Sequence, residues 1–278
     1  MKHSTVLRKD KIDSIAIGNF DGVHLGHQQL INRLGENGAL LVVYRGRANI
    51  TPGKNRSYFT KFPCFYIDFE LIKDYDCIGF LSFLKKDFPN LKKIVVGYDF
   101  KFGANRSCNL YDLKKLFDGK IDVVDEFFID GISVHSSTIR EFLKKGDIQK
   151  ANMLLGRDYC MQGDVIKGQG LGKKELVPTL NLNVEKYILP KNGVYKTKSI
   201  IDGVSFPSVT FIGLRESTDG AFSCETHIIN KEVDNIKNFT VCFLKYLREN
   251  KKFNSLKELK EQIQKDIQEC QPIAYKRR

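Results

Sequence analysis

Apolar runs and amphipathic stretches alternate through the first half of the chain. Ser14 to Ile17 is short and apolar, Gly26 to Leu34 repeats its apolar positions at helical spacing, and Ala39 to Tyr44 is apolar again. Further on, Lys93 to Gly97 reads as a strand and Leu110 to Phe117 as a helix. Strand, helix, strand in this order predicts a parallel α/β sheet. Ser136 and Ser137 stand before Thr138 to Lys144 as helix-starting hydroxyls, with Gly146 as the stop. A second helix, Asp147 to Leu155, ends at Gly156.

Beyond Gly156 the texture changes to short β-branched and aromatic runs separated by glycine. They are Cys160 to Ile166, Thr179 to Val184, Gly193 to Ile201, Ser208 to Ile212, Ser223 to Ile229 and Phe239 to Phe243. Closely spaced short strands predict an antiparallel sheet or barrel. Ser255-Leu256-Lys257-Glu258 is a capping-box pattern, and Leu256, Leu259, Ile263 and Ile267 form an apolar stripe on the helix that follows. That helix is expected to pack on the barrel. Gly156 to Asp158 marks the expected boundary, giving domains 1–157 and 158–278.

The length of 278 residues fits two such domains. No stretch reaches the roughly 18 apolar residues of a spanning helix, and the start lacks an apolar core followed by a cleavage site. A cytoplasmic protein with no membrane partner is expected. Seven cysteines, with no CxxC pair among them, suggest neither a disulfide framework nor a zinc knuckle, so they read as reduced, mostly buried thiols. The net charge of +12 suits a polyanion, either nucleic acid or a nucleotide phosphate, and does not choose between them. Much of it sits in lysine pairs such as Lys85-Lys86 and in the tail Lys276-Arg277-Arg278, where solubility is sufficient reason.

The chemistry concentrates first in Gly18-Asn19-Phe20-Asp21-Gly22-Val23-His24-Leu25-Gly26-His27, which joins a strand to a helix through a glycine-rich turn. Glycines let backbone N–H groups approach phosphate oxygens, and the helix presents its positive end. His24 and His27 can donate hydrogen bonds to charge growing on a phosphate under attack. His-x-Gly-His directly after a strand therefore predicts nucleotidyl transfer: attack on the α-phosphate of a nucleoside triphosphate, with loss of pyrophosphate. Two histidines with no third ligand nearby argue against a metal site. At another strand-to-helix junction, Ser137, Thr138 and Arg140 offer hydroxyls and a guanidinium for the β- and γ-phosphates.

Gly18 to His27, Val96-Gly97-Tyr98-Asp99-Phe100-Lys101-Phe102-Gly103 and Ser136 to Arg140 occur in the order seen in bacterial bifunctional riboflavin kinase/FAD synthetases, and the first half resembles their N-terminal module. The resemblance implies adenylylation of FMN to FAD, with Asp99 and Arg106 near the nucleotide or flavin. One departure is clear. Where that family carries Phe-Asp/Glu-Pro-His-Pro after its second strand, this chain reads Val43-Tyr44-Arg45-Gly46-Arg47-Ala48-Asn49, leaving Arg45 or Arg47 to supply positive charge.

The second half resembles the same family. Gly168 to Lys174 is not a Walker A loop, lacking its glycine spacing and the hydroxyl after lysine. Pro178-Thr179-Leu180-Asn181 resembles the riboflavin kinase signature, and Gly193-Val194-Tyr195 with Glu225-Thr226-His227 match later elements. Thr179 and Asn181, two apart on a strand, face one way and can hold hydrated magnesium beside ATP. By the resemblance Glu225 is the general base for the ribityl hydroxyl, and Arg248 lies near the flavin. Leu176 replaces the family's glycine, and Asn230 to Phe239 lacks its Asp-Leu-Tyr-Gly string.

The expectation is thus a Rossmann-like α/β nucleotidylyltransferase domain followed by a small antiparallel β-barrel kinase domain with a C-terminal helix. It converts riboflavin to FMN and FMN to FAD with ATP and Mg2+, as a monomer or weak oligomer whose partners are small molecules and not nucleic acid. The competing readings are a nucleotidylyltransferase whose barrel binds flavin without kinase activity, and a basic nucleic-acid-binding protein.

Overall fold

The computed structural model describes residues 8–46, 48–166, 177–215, 220, 222–232 and 236–271. Arg47, the run Gly168 to Lys174, Leu176, residues 233–235 and the basic tail lie outside them. The chain divides into two compact units, Met1–Ser136 and Ser137–Arg278.

In the first unit β1 (Ser14–Gly18), β2 (Gly38–Tyr44), β3 (Cys64–Asp68), β4 (Lys93–Gly97) and β5 (Lys120–Val124) form one parallel sheet in the order β3-β2-β1-β4-β5. Ser14 pairs with Gly38 on one side and with Lys93 on the other, so β1 is the central strand. Its apolar residues do not alternate with polar ones because both faces of the sheet are covered. Ile15 and Ile17 meet Phe80, Leu81 and Leu84 of α2 (Cys77–Asp87), while Ala16 faces Phe20, Val23 and Ile31 on the other side. Asp76 caps α2 by accepting the Gly79 N–H at 2.7 Å. The remaining helices are α1 (Leu25–Ile31) and α3 (Leu110–Leu116). Strand order reverses beside β1, and in such sheets ligands bind outside the carboxyl ends at that reversal. The Gly18 to Gly22 turn occupies this position.

A short hairpin, β6 (Phe128–Ile129) and β7 (Ile132–Ser133), turns through Asp130 and Gly131, both at positive φ as a two-residue hairpin requires. The chain then enters α4 (Ser136–Lys145), which starts two residues earlier than the pattern predicts.

In the second unit α5 (Ile148–Leu155) starts at the Asp147 cap and stops at Gly156, whose φ of 70° is the left-handed conformation that ends helices. Asn152 joins α5 to the strands: its amide donates to the Phe243 carbonyl at 2.8 Å and its carbonyl accepts the Tyr159 N–H at 2.7 Å. This attachment places α5 in the same compact unit as the strands.

The strands β8 (Tyr159–Ile166), β9 (Leu180–Leu182), β10 (Gly193–Ile201), β11 (Val204–Leu214), β12 (Phe222–Ile228) and β13 (Asn238–Arg248) close into an antiparallel barrel. Its order is β10-β11-β12-β9-β8-β13, with β13 returning to β10. The interior holds a chain of buried hydroxyls: Ser199 to Ser208 at 3.0 Å, Ser208 to Thr197 at 2.8 Å, Thr197 to Thr210 at 2.8 Å and Thr210 to Thr226 at 3.0 Å. Each hydroxyl partners another, which meets the requirement that buried polar groups be bonded. Outside the barrel Val194 and Val209 pack with Ile263 and Ile267 of α6 (Leu256–Cys270), as the stripe predicts. Leu256 is 46% exposed and takes no part, since the stripe turns toward the barrel only after the first turn. Ser255 accepts the Glu258 N–H at 3.2 Å, and Glu258 reaches back to the Asn254 N–H.

The cysteine reading needs correction. Cys77 is bonded to Cys108 and Cys160 to Cys242, while Cys64, Cys224 and Cys270 are free thiols. The partners are 31 and 82 residues apart, and only strand pairing (Cys160 opposite Cys242) and the approach of α2 to the segment before α3 bring them together.

Candidate phosphate turn and barrel cavity

The turn after β1 carries backbone strain and is fixed by its own side chains. Phe20 and Val23 are fully buried at φ values of 54° and 40°, unfavourable for any L-residue and most for a β-branched one. Gly22, at φ 89°, supplies the third left-handed position. Asp21, expected among the phosphate-binding residues, is 2% exposed and turned inward. Its carboxylate accepts the N–H groups of Asn49 (3.1 Å), Ile50 (3.0 Å) and Thr51 (2.9 Å), tying the segment after β2 to the turn. Asn19 donates to the Val43 carbonyl at 3.1 Å, and the Ser136 hydroxyl donates to the Asp21 carbonyl at 2.8 Å. Gly18 closes β1.

His24 is the cap of α1, and its Nδ1 accepts the His27 N–H at 3.3 Å. That bond leaves the imidazole proton on Nε2, where it can be donated to an oxyanion. The His27 ring stacks on His24 with centroids 3.6 Å apart, and Phe20 supports His27 at 5.1 Å. His24 is 4% exposed and His27 lies nearer solvent, so both rings form one wall at the carboxyl end of β1.

Asp99 and Arg106 are exposed on the segment after β4, where Asn105 and Arg106 both have positive φ. Ser137, Thr138 and Arg140 lie in the first turns of α4, with Ser137 exposed and the other two half-buried. Arg45 stacks on Phe69 at 3.9 Å. The sequence reading missed Arg56, which is fully buried in a short 3-10 helix, Gly53–Phe59. Its Nη1 donates to the Gly53 carbonyl at 3.2 Å, and burial pushes its pKa down while Asp21 opposes that shift. A guanidinium so placed brings positive charge to the segment where Arg45 or Arg47 was expected to supply it.

In the barrel unit, Thr179 stands just before β9 and Asn181 within it. Asn181 pairs with Glu225 and Leu180 with Thr226, which puts Asn181 and Glu225 side by side on the outer face. The Thr179 hydroxyl donates to Glu225 Oε2 at 3.3 Å, and Arg215 Nη1 donates to Oε1 at 3.0 Å. Both carboxylate oxygens are therefore bonded, one to a hydroxyl and one to a guanidinium. Arg215 was not anticipated, since nothing local distinguishes it. The group borders a cavity of about 170 Å³ between the barrel wall and α6, lined by Val209, Phe211, Ile263, Arg248, Glu225 and Thr179 among others. An apolar wall with a few convergent polar groups is the usual form of a small-molecule site. Arg248, expected beside the flavin, lines the cavity but is also held by Asp266 of α6, through Nε at 3.0 Å and Nη2 at 2.6 Å. Among the described residues no group of three His, Cys, Asp or Glu side chains could hold a metal ion, and no helix is long and apolar enough to cross a membrane.

A parallel-sheet unit with a histidine-walled turn, followed by a barrel unit with a carboxylate at the edge of an apolar cavity, defines a two-module transferase. The FAD synthetase family model matches residues 7–43 and the riboflavin kinase family model matches residues 155–274. A bifunctional riboflavin kinase/FMN adenylyltransferase of Buchnera aphidicola subsp. Schizaphis graminum is 31% identical, with 92% of each chain covered. That of Buchnera aphidicola subsp. Acyrthosiphon pisum is 30% identical over 91% of this chain and 90% of its own. A crystal structure titled as a macrolide-efflux protein from Streptococcus pneumoniae shares the fold, with a TM-score of 0.83 and 24% identity over 93% of this chain and 94% of that one. The chain belongs to the bifunctional riboflavin kinase/FMN adenylyltransferase family.

Proposed function

We propose that this protein phosphorylates riboflavin to FMN with ATP in its barrel module and adenylylates FMN to FAD, releasing pyrophosphate, in its α/β module. We assign residues 1–157 to the adenylyltransferase and 158–278 to the kinase, with α5, at the end of the first stretch, bonded to the kinase strands through Asn152. The observation that carries the kinase half is the Glu225 carboxylate, placed between Thr179 and Arg215 at the edge of an apolar cavity. Glu225 accepts the proton of the terminal ribityl hydroxyl as that oxygen attacks the γ-phosphate, and the apolar wall between barrel and α6 takes the flavin ring. Thr179 and Asn181 present neutral oxygens beside a carboxylate, a donor set suited to a hard cation that keeps most of its water. They fit Mg2+, which would supply charge neutralisation of the ATP phosphates. Arg248, fixed by Asp266, stands at the flavin end.

In the α/β module His24 donates from Nε2 to the α-phosphate while His27 neutralises the charge that builds as the FMN phosphate attacks. The Gly18 to Gly22 backbone receives the triphosphate, with Asn19, Phe20 and Asp21 fixing its shape. Ser137, Thr138 and Arg140 are assigned to the departing pyrophosphate, and Asp99 and Arg106 to the nucleotide or flavin, by resemblance. We assign both reactions to the cytoplasm, where riboflavin and ATP are both at hand.

Chromatography of products from riboflavin, ATP and Mg2+ tests the scheme. His27→Ala abolishes FAD and spares FMN; Glu225→Gln abolishes FMN and spares conversion of added FMN to FAD. Equal loss of both products from either variant would argue against separate sites.

A further inference from the structure

The pairing of β9 with β12 stops at Leu180, so Thr179 and Pro178 lie just beyond the end of the ladder. The ladder joins Asn181 to Glu225 and Leu180 to Thr226 and goes no further. Pro178 has no N–H, so the backbone cannot extend the pairing by a bond from that residue. A side chain provides the connection instead: His227 Nδ1 lies 2.8 Å from the Pro178 carbonyl. A carbonyl oxygen only accepts, so Nδ1 carries the proton. His227 is two residues from Glu225 on β12 and therefore on the same outer face. One strand thus carries both the carboxylate and the group that holds Thr179 against it. The consequence shows in the 3.3 Å bond from the Thr179 hydroxyl to Glu225.

We infer that His227 is a positioning residue of the kinase module: its Nδ1–H holds the Pro178–Thr179 segment so that the Thr179 hydroxyl meets Glu225 and faces the nucleotide. It neither gives nor takes a proton in the reaction. The inference rests on the kinase reading above and adds to it a residue that borders the cavity and acts through Thr179.

His227→Leu removes the donor and keeps apolar bulk, whereas His227→Asn retains an N–H near the place of Nδ1. Both are assayed in the full-length protein, with conversion of FMN to FAD as the control for folding. His227→Leu raises KM for ATP in riboflavin phosphorylation about tenfold, the scale of one lost hydrogen bond, while KM for riboflavin stays within about twofold. In the ligand-free protein it speeds deuterium exchange at the Thr179 to Leu182 amides. His227→Asn restores both readouts to within about threefold of the parent. The inference is overturned if His227→Leu leaves KM for ATP and amide exchange unchanged, or if His227→Asn is as impaired as His227→Leu. If the leucine variant does not fold, a tenfold rise in KM for ATP in His227→Asn refutes the inference, and a near-parent value supports it. Glu225→Gln separates the premises. Full FMN formation by that variant removes the kinase reading itself, whatever the His227 variants do.

Discussion

Gly26 is the second residue of α1, under the His24 ring, and adding one carbon there tests whether ring placement sets the rate of adenylyl transfer. A Cβ at this position would lie 2.8 Å from the Val134 carbonyl, 3.2 Å from His24 Nδ1 and 3.3 Å from its Cε1. The first distance is one that Cβ atoms do not adopt, and the obstacle is backbone, so something must move by a few tenths of an ångström. Two terms oppose each other in stability. Alanine gains about 1 kcal/mol over glycine within a helix, and overpacking costs about 1–3 kcal/mol. The net loss is about 0–2 kcal/mol, too little to unfold a protein of ordinary stability. Rate responds more steeply, because a misplacement of about 1 Å costs about a hundredfold and a few tenths therefore about three- to tenfold. Val134 also leads within two residues to Ser136, whose hydroxyl holds the Asp21 carbonyl, so the displacement passes into the phosphate turn. Gly26→Ala is expected to form FAD from FMN about three- to tenfold more slowly while forming FMN from riboflavin at the parent rate. Stopped-time chromatography with FMN or riboflavin as the sole flavin reads both. A parent rate of FAD formation would refute the idea that His24 must sit where it does, and equal loss in both reactions would trace the defect to folding.

Asp21→Ala removes an acceptor for three backbone N–H groups and should lower unfolding free energy in urea by about 2–3 kcal/mol, with Asp21→Asn costing less because one oxygen remains. Arg248→Met leaves the charge of Asp266, whose side chain is 7% exposed, with the Gln262 amide and no cation, and should cost about 3 kcal/mol by the same measurement. Adding Asp266→Leu should recover most of that loss, since the orphaned charge is gone. Burial pushes the thiols of Cys64 and Cys270 up to about 11 and that of Cys224 to about 12. Below those values the reactive thiolate is scarce, so iodoacetamide at pH 8 should label the folded protein slowly and faster as pH rises. Under denaturing conditions three thiols should titrate before reduction and seven after it; seven before reduction would contradict both disulfides.

The parts of this protein that can be read from sequence are those in which cause and effect are neighbours along the chain. A strand end, a glycine turn and a helix start within ten residues specify the turn after β1, whereas the capping of α1 by His24, read from sequence only as a donor to phosphate, appears in the structure. Ser255 and Gly156 act at the helix ends where they were expected. What composition and periodicity missed is non-local. Arg215 reaches Glu225 only because β11 and β12 are paired, and Arg56 enters the interior only because Asp21 draws the preceding segment onto the turn. The cysteine pairs belong with these. Spacing along the chain carries no information about which thiols the fold brings together.

Asp21 and Glu225 show how similar residues acquire different work from their surroundings. Both are carboxylates on or beside a strand, and both are fully hydrogen-bonded. Asp21 is bonded to three backbone N–H groups of one segment and is nearly sealed from solvent. Such a group cannot exchange partners without dismantling the segment, so it shapes a site and does not react in it. Glu225 is bonded to two side chains, a hydroxyl and a guanidinium, at the edge of a cavity. An arriving hydroxyl can take the place of either side chain at modest cost, because the displaced hydroxyl or guanidinium can then bond to phosphate instead. If Glu225 is the base proposed above, the difference between it and Asp21 lies in whether the donors to the carboxylate belong to the main chain or to side chains.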